Sequence, residues 1–286
     1  MVDQDYVYID GDILPYRVGF ATQHTVYYCE SEGQHSGLRW ITRSKAVVNK
    51  LLKVEPTALV SELFFVESEF QAVMTLKLMI QSIVQGSGRK AFKVIMSGED
   101  NFRTNIATIQ PYKGNRVGTE KPVHWQMLRD WLLDKPYTIV SDNEEADDVL
   151  SRACLRGCTI ATIDKDLDNT PGLHYNFVKK TKYYVDPKEA MKNFYRQMLV
   201  GDKADHIPGI KGIGPVKADR ILDDCRDEVD YERAIKPHYY KTYGAYGWKN
   251  AMTEVGQLLW MRREEGEMWL PSILGGEMYK RGKQWQ

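Results

Sequence analysis

Four short apolar runs in this chain each give way to acidic residues, and no other feature constrains the fold as much. Tyr6-Val7-Tyr8-Ile9 leads into Asp10-Gly11-Asp12, and Lys93-Val94-Ile95-Met96 into Ser97-Gly98-Glu99-Asp100. Thr138-Ile139-Val140 leads into Ser141-Asp142, and Thr159-Ile160-Ala161-Thr162-Ile163 into Asp164-Lys165-Asp166. Runs of this length and composition read as strands. Helical periodicity lies between them, around 68–84, 122–134 and 144–156. Strands alternating with helices predict an α/β fold with a mostly parallel sheet covered by helices. Such sheets bind ligands beyond the carboxyl ends of their strands, where these carboxylates fall.

The acids come in clusters whose spacing has chemical meaning. Asp10 and Asp12 lie two apart on a strand end, so both face one side, or else they shape a tight turn or cap a helix. Glu144, Glu145, Asp147 and Asp148 put four acids into five residues. Helical spacing would pair Glu145 with Asp148, and Glu144 with Asp147. Acids favour the positive end of a helix, which suffices for Glu144; for the others, mutual repulsion makes a cation the better account. Asp164, Asp166 and Asp168 alternate after a buried-type strand, and a solvated loop is the plainer account of Asp168. Asp202 and Asp205, three apart, would project from one helix face. Carboxylates without His or Cys partners favour Mg²⁺ or Mn²⁺ over zinc. Two such ions about 4 Å apart activate a water and stabilise the oxygen leaving a phosphodiester.

Asp205 runs almost directly into Gly209, Gly212 and Gly214, and Pro215 suits the first turn of a following helix. Glycines admit a phosphate close to the backbone, and a helix start offers N–H groups to it. Lys211 and Lys217 in the same stretch add positive charge. Pro111-Tyr112-Lys113-Gly114-Asn115-Arg116 follows Asn101-Phe102-Arg103. Alone it reads as a solvated basic loop. Beside the acids, Lys113 or Arg103 would offset charge on a phosphate in the transition state, and Tyr112 would stack on an unpaired base. Lys179, Lys180 and Lys182 fit an edge-strand charge run or a phosphate-tracking surface.

Composition sets wide bounds. With 286 residues, 43% of them hydrophobic, the chain can bury a sizeable core. Its 39 basic and 39 acidic residues cancel, so net charge argues neither for nor against nucleic acid. Cys29, Cys154, Cys158 and Cys225 form no zinc spacing or disulfide framework; Cys154 and Cys158 read as small core residues near a helix end. Neither a signal peptide nor a membrane-spanning run is evident, which predicts a cytoplasmic protein. From about 187 the chain reads as helical and basic, 236–250 shows no clear period, and the last twenty residues read as a tail over the core.

Taken in order, Tyr-Ile-Asp-Gly-Asp, Asn-Phe-Arg, Tyr-Lys-Gly-Asn-Arg, Glu-Ala-Asp-Asp, Thr-Ile-Asp-Lys-Asp and Gly-Asp-Lys-Ala-Asp…Gly-Ile-Lys-Gly-Ile-Gly resemble the motifs of the 5′-nuclease (flap endonuclease) superfamily. The phage 5′→3′ exonucleases and the 5′-nuclease domains of bacterial polymerases are the most similar members. The resemblance runs from about residue 6 to 222. It implies a PIN-like catalytic domain over 1–186, with a short arch near 103–135, and a helix-hairpin-helix DNA-binding module with a tail over 187–286. It implies that Asp10, Glu145, Asp147, Asp148, Asp164, Asp166, Asp202 and Asp205 surround two divalent ions. Lys113 and Arg116 would match basic residues at the foot of the arch. Gly209, Gly212 and Gly214 would grip a duplex backbone, with a monovalent cation such as K⁺. The expected substrate is double-stranded DNA with a 5′ end, nick or flap, or the RNA of an RNA–DNA hybrid, handled by a monomer in replication or repair. The chain departs from the family at Ser97-Gly98, where many cellular relatives carry Asp, and at His206, a frequent Asn. Three rivals stand beside this: a PIN-type single-strand ribonuclease, an aspartyl-phosphate enzyme built on Asp10, and a branched-DNA-binding protein without catalysis.

Overall fold

A computed structural model describes residues 5–30, 39–116 and 118–274. The chain divides into two compact units. The first comprises residues up to Asp12, Gln81–Thr119, and everything from Lys135 onward; the second comprises Ile13–Ile80 and Glu120–Asp134.

The first unit is built on a six-stranded sheet. Its strands are β1 (Tyr6–Asp10), β5 (Ala91–Met96), β6 (Thr138–Val140), β7 (Thr159–Ala161), β8 (Gly172–Asn176) and β9 (Thr181–Val185). They lie in the order β6-β5-β1-β7-β8-β9, parallel except that β9 runs antiparallel to β8. Val7, Ile9, Val94, Ile95 and Ile160 are wholly buried, as expected of strands covered on both faces. The chain leaves β1 towards β5 and β6, then returns to the other side through β7 and β8. The switch point of the sheet therefore lies between β1 and β7, where Asp10 and Asp164 emerge. All four expected strands are present, and Lys182 lies on β9, at the sheet edge.

The helices of this unit are the end of α3 (Glu69–Ser87), α4 (Phe102–Ile106), α6 (Ala146–Leu155), α7 (Pro187–Val200), α8 (Pro215–Leu222) and α9 (Glu228–Leu259). Ala146, Leu150 and Cys154 of α6 pack on Ile95 and Ile160. Phe194, Met198, Leu222, Ile235, Tyr239, Met252 and Trp269 belong to a second core, among α7, α8, α9 and the chain beyond. Asp186 caps α7 by accepting the Lys188 N–H at 2.8 Å, and Pro187 starts the helix. The helices from 187 onward belong to the same compact unit as the sheet, so the boundaries of compactness fall elsewhere than at 186. The stretch 236–250 is helical despite its lack of period, because α9 breaks at Gly244, where φ is 74°, and its face shifts there. Cys154 and Cys158 are buried as expected. The final residues of the expected tail, 275–286, lie outside the described residues; Trp269 before them is buried.

The second unit holds α1 (Ile13–Ala21), a three-stranded antiparallel sheet, α2 (Lys45–Val54), the start of α3, and α5 (Trp125–Leu133). Its strands β2 (Gln23–Glu30), β3 (Arg39–Thr42) and β4 (Leu59–Val66) lie in the order β3-β2-β4. Val48 of α2 packs against Tyr27 and Cys29. Among the described residues, no helix is long and apolar enough to cross a membrane.

Candidate active site

The acids at the sheet switch point all belong to the first unit. β1 delivers Asp10, which is buried and accepts from the Thr162 hydroxyl at 2.9 Å. Asp12 turns aside, taking the Ser97 N–H at 3.1 and 3.2 Å on its two oxygens. Ser97 itself accepts the Ala146 N–H at 2.9 Å, so the Ser97-Gly98 departure ties β5 to the start of α6. The loop after β7 delivers Asp164, which accepts the Asp166 N–H at 2.9 Å.

Around α6 the helical pairing expected from spacing fails. Glu145 is the N-cap, in extended conformation, so Glu144 and Glu145 precede the helix and do not follow its period. Glu145 and Asp147 instead face the other acids, while Glu144 and Asp148 turn inward. Burial, then the Asp10, Asp164 and Glu145 carboxylates, holds Asp147 well above the usual carboxylate range. Asp166 is pushed up to about 8 by burial, by Asp164 and by its hydrogen-bonded contact with Asp202. Asp205 is raised too, chiefly by burial, against the pull of Lys113 and Arg116. The carboxylates thus form two groups sharing Asp164: Asp10, Glu145 and Asp147 on one side, Asp166, Asp202 and Asp205 on the other.

Asp202 and Asp205 reach this place without a helix. α7 ends at Val200, and 202–207 form a turn closed by an antiparallel bridge between Asp202 and Ile207. Asp202 accepts the Ala204 N–H at 2.7 Å, a bond that shapes the turn. The Tyr-Lys-Gly-Asn-Arg loop docks on that turn. The Lys113 N–H donates to the Asp205 carbonyl at 2.9 Å, Asn115 to the Lys203 carbonyl at 2.6 Å, and Arg116 Nε to the Ala204 carbonyl at 3.1 Å. His206 Nδ1 lies 3.0 Å from the Pro111 carbonyl, a bracing contact. Lys113 Nζ pairs with Glu145 and lies 3.8 Å from Asp205; Arg116 meets Asp205 at 2.5 Å.

Three expected roles are corrected by this geometry. Arg103 is 1% exposed and forms a two-pronged ion pair with Asp148 at 2.6 and 2.9 Å, so it cannot face a phosphate. Asp148 also accepts the N–H groups of Glu145 and Arg262, two donors on each oxygen, which leaves no lone pair for a metal. Burial pushes its pKa up, but the charge and hydrogen bond of Arg103 and the N–H groups of Arg262 and Glu145 together outweigh it, and the net shift is downward. Tyr112 is partly buried against the helical core, and its hydroxyl lies 2.8 Å from both Glu145 and Asp205. Its ring is not free to stack on a base.

The glycine hairpin has two characters. A Cβ on Gly209 would overlap the Val200 carbonyl, so this glycine exists for packing on α7. Gly212 has φ 80°, and a Cβ added there or at Gly214 would meet nothing within 4 Å, which leaves that side of the hairpin open. Lys211 and Lys217 are exposed beside it.

All-oxygen, mutually repelling, partly buried carboxylates suit hard divalent cations. Among the described residues no three His, Cys, Asp or Glu side chains form a closed ligand group. Glu145 and Asp205 are drawn towards Lys113, Arg116 and Tyr112.

No protein-family model matches the chain. DNA polymerase I of Bacillus caldotenax is 31% identical over 150 residues, covering 44% of this chain and 17% of the polymerase. DNA polymerase I of Geobacillus stearothermophilus matches equally, so the chain spans well under a fifth of these relatives. The bacteriophage T5 5′-exonuclease with bound zinc is similar at TM-score 0.50 and 16% identity, over 89% of this chain and 86% of that one. The T5 flap endonuclease in complex with DNA and metal ions is similar at TM-score 0.50 and 14% identity, over 89% and 85%. At these identities the likeness is one of fold.

Proposed function

Because this chain has the fold of the 5′-nuclease superfamily, we propose that it is a divalent-metal-dependent 5′→3′ exonuclease and structure-specific 5′ flap endonuclease. It would hydrolyse phosphodiesters near the 5′ end of duplex DNA, and the RNA strand of RNA–DNA hybrids, in replication or repair. The observation that carries this reading is the pair of repelling carboxylate groups sharing Asp164 at the β1–β7 switch point, beside an open glycine hairpin.

Asp10, Glu145, Asp147 and Asp164 would hold one Mg²⁺ or Mn²⁺, and Asp164, Asp166, Asp202 and Asp205 a second. Such ions supply an activated water and stabilise the departing oxygen. Lys113, between Glu145 and Asp205, puts a positive charge where a phosphate would gather negative charge in the transition state. Arg116 supports it through Asp205. The open hairpin at Gly212 and Gly214, with Lys211, Lys217 and the help of a monovalent cation such as K⁺, would hold the duplex by its backbone. Contacts of that kind read no base sequence. The helices from 187 onward would act as the DNA-binding module. A single-strand ribonuclease would need neither Asp202, Asp205 nor the hairpin.

The test compares Mg²⁺-dependent cleavage of a 5′-labelled duplex, a 5′-flap substrate, a 3′-labelled control and single-stranded RNA. Short 5′ products that vanish in EDTA and in Asp164→Ala and Asp205→Ala support the reading. Cleavage of the RNA alone, or intact binding with no cleavage, would sink it.

A further inference from the structure

The chain beyond α9 reaches back to the base of the acidic site. Arg262 is 6% exposed. Its backbone N–H donates to Asp148 Oδ1 at 2.9 Å, while its side chain donates through Nη1 to Glu144 Oε2 at 3.3 Å and through Nε to the Glu267 carbonyl at 3.1 Å. The guanidinium lies 3.6 Å from the centre of the Phe102 ring. Arg103 completes the brace: besides Asp148, it donates to the Leu258 and Trp260 carbonyls at 2.9 and 2.7 Å, where α9 ends. Glu144, 5% exposed, takes Arg152 as well.

These contacts fall mainly on the outer two of the four acids; Arg103 also approaches Glu145, at 3.9 Å. Glu144 and Asp148 carry the brace, while Glu145 and Asp147 between them face the carboxylate groups. Four acids around one helix start repel one another and would unwind or turn that first helical turn. Three arginines, Arg103, Arg152 and Arg262, neutralise the two that point inward. Of the three, Arg262 comes from the segment beyond α9.

We propose that Arg262 is a positioning residue, whose guanidinium, by holding Glu144 at the α6 entry while its backbone N–H meets Asp148, fixes Glu145 and Asp147 for metal binding. This rests on the nuclease reading for what those two acids do. Groups hydrogen-bonded to a metal ligand typically change affinity about 10–100-fold; Arg262 acts one contact further out, through Glu144 beside Glu145, so the lower end, about tenfold, is expected.

The test measures Mn²⁺ binding to the full chain by electron paramagnetic resonance, without DNA, alongside thermal unfolding, kcat, and duplex affinity in EDTA. Arg262→Met is expected to remain folded, to bind Mn²⁺ about tenfold more weakly, and to lose kcat with unchanged duplex affinity. Arg262→Lys, which keeps the charge without the fork, is expected to recover part of both. Should Arg262→Met fail to fold, Glu144→Gln removes the charge that Arg262 shares with Arg152 and is expected to weaken Mn²⁺ binding likewise. A lowered melting temperature with Mn²⁺ affinity and kcat unchanged would overturn the positioning role alone. Wild-type protein that binds no Mn²⁺ would overturn the nuclease reading and this inference together.

Discussion

Arg103 and Asp148 form a fork-to-fork ion pair with almost no exposure to water, and Nε, Nη1 and Nη2 of the guanidinium all donate to acceptors. Removing one partner leaves a buried charge, so Arg103→Met is expected to cost about 3–5 kcal/mol in urea unfolding. Tyr112 is the other residue whose surroundings decide its part. Its hydroxyl serves both Glu145 and Asp205, and a hydrogen bond to a charged group contributes about 1.5–3 kcal/mol. Tyr112→Phe is expected to raise the Mg²⁺ concentration for half-maximal cleavage by about tenfold, read from a metal titration of the rate. The acids at these positions were legible in the sequence as a group. Which of them pair with arginines was not, since Glu144 and Glu145 stand before the helix and escape its period.

At the scale of elements, the glycine hairpin separates packing from access. Gly209→Ala must displace the Val200 carbonyl, and overpacking of this kind costs about 1–3 kcal/mol of stability. Gly212→Ala meets no neighbour and carries only the strain of a left-handed residue, about 1–2 kcal/mol. It is nevertheless expected to weaken duplex binding in EDTA more than Gly209→Ala, by fluorescence anisotropy at fixed salt, because its Cβ would stand where the DNA backbone approaches. The strands carrying the acids were legible because buried parallel strands leave unbroken apolar runs. The β2-β3-β4 sheet was not. β4 carries Leu63, Phe64 and Phe65 on both its faces, all more than 45% exposed, so no alternation marks it as a strand.

Across the whole molecule, a zero net charge conceals an acidic centre that costs stability. Asp147→Asn removes a partly buried, repelled carboxylate and is expected to raise the stability of the metal-free protein by about 1–2 kcal/mol. Cleavage and the added stability from Mg²⁺ should both disappear, as a thermal-shift series would show. A separate pH dependence comes from His174, which burial pushes below its ordinary value. Its Nε2–H is held by the Thr170 carbonyl at 2.9 Å, and Nδ1, with Asp168 Oδ1 3.9 Å away, has no hydrogen-bond partner among the described residues. The unfolded chain takes up this proton near pH ~6.5 and the folded chain resists it. Stability present above that pH is therefore lost as pH falls below it, and His174→Gln should flatten the fall in urea midpoint between about pH 7 and 5.

The sequence by itself determined the α/β class, the acid-bearing strands and the adjoining glycine hairpin. Each of these follows from residues close together in the chain, through apolar runs, turn chemistry and acidic spacing. Only the tertiary structure decided which charges are buried together. Arg103 and Arg262 lie 45 and 114 positions from Asp148, and all three meet in one contact. No local pattern records whether a charge will find water, a metal or an opposite charge, because that depends on what the rest of the chain brings beside it.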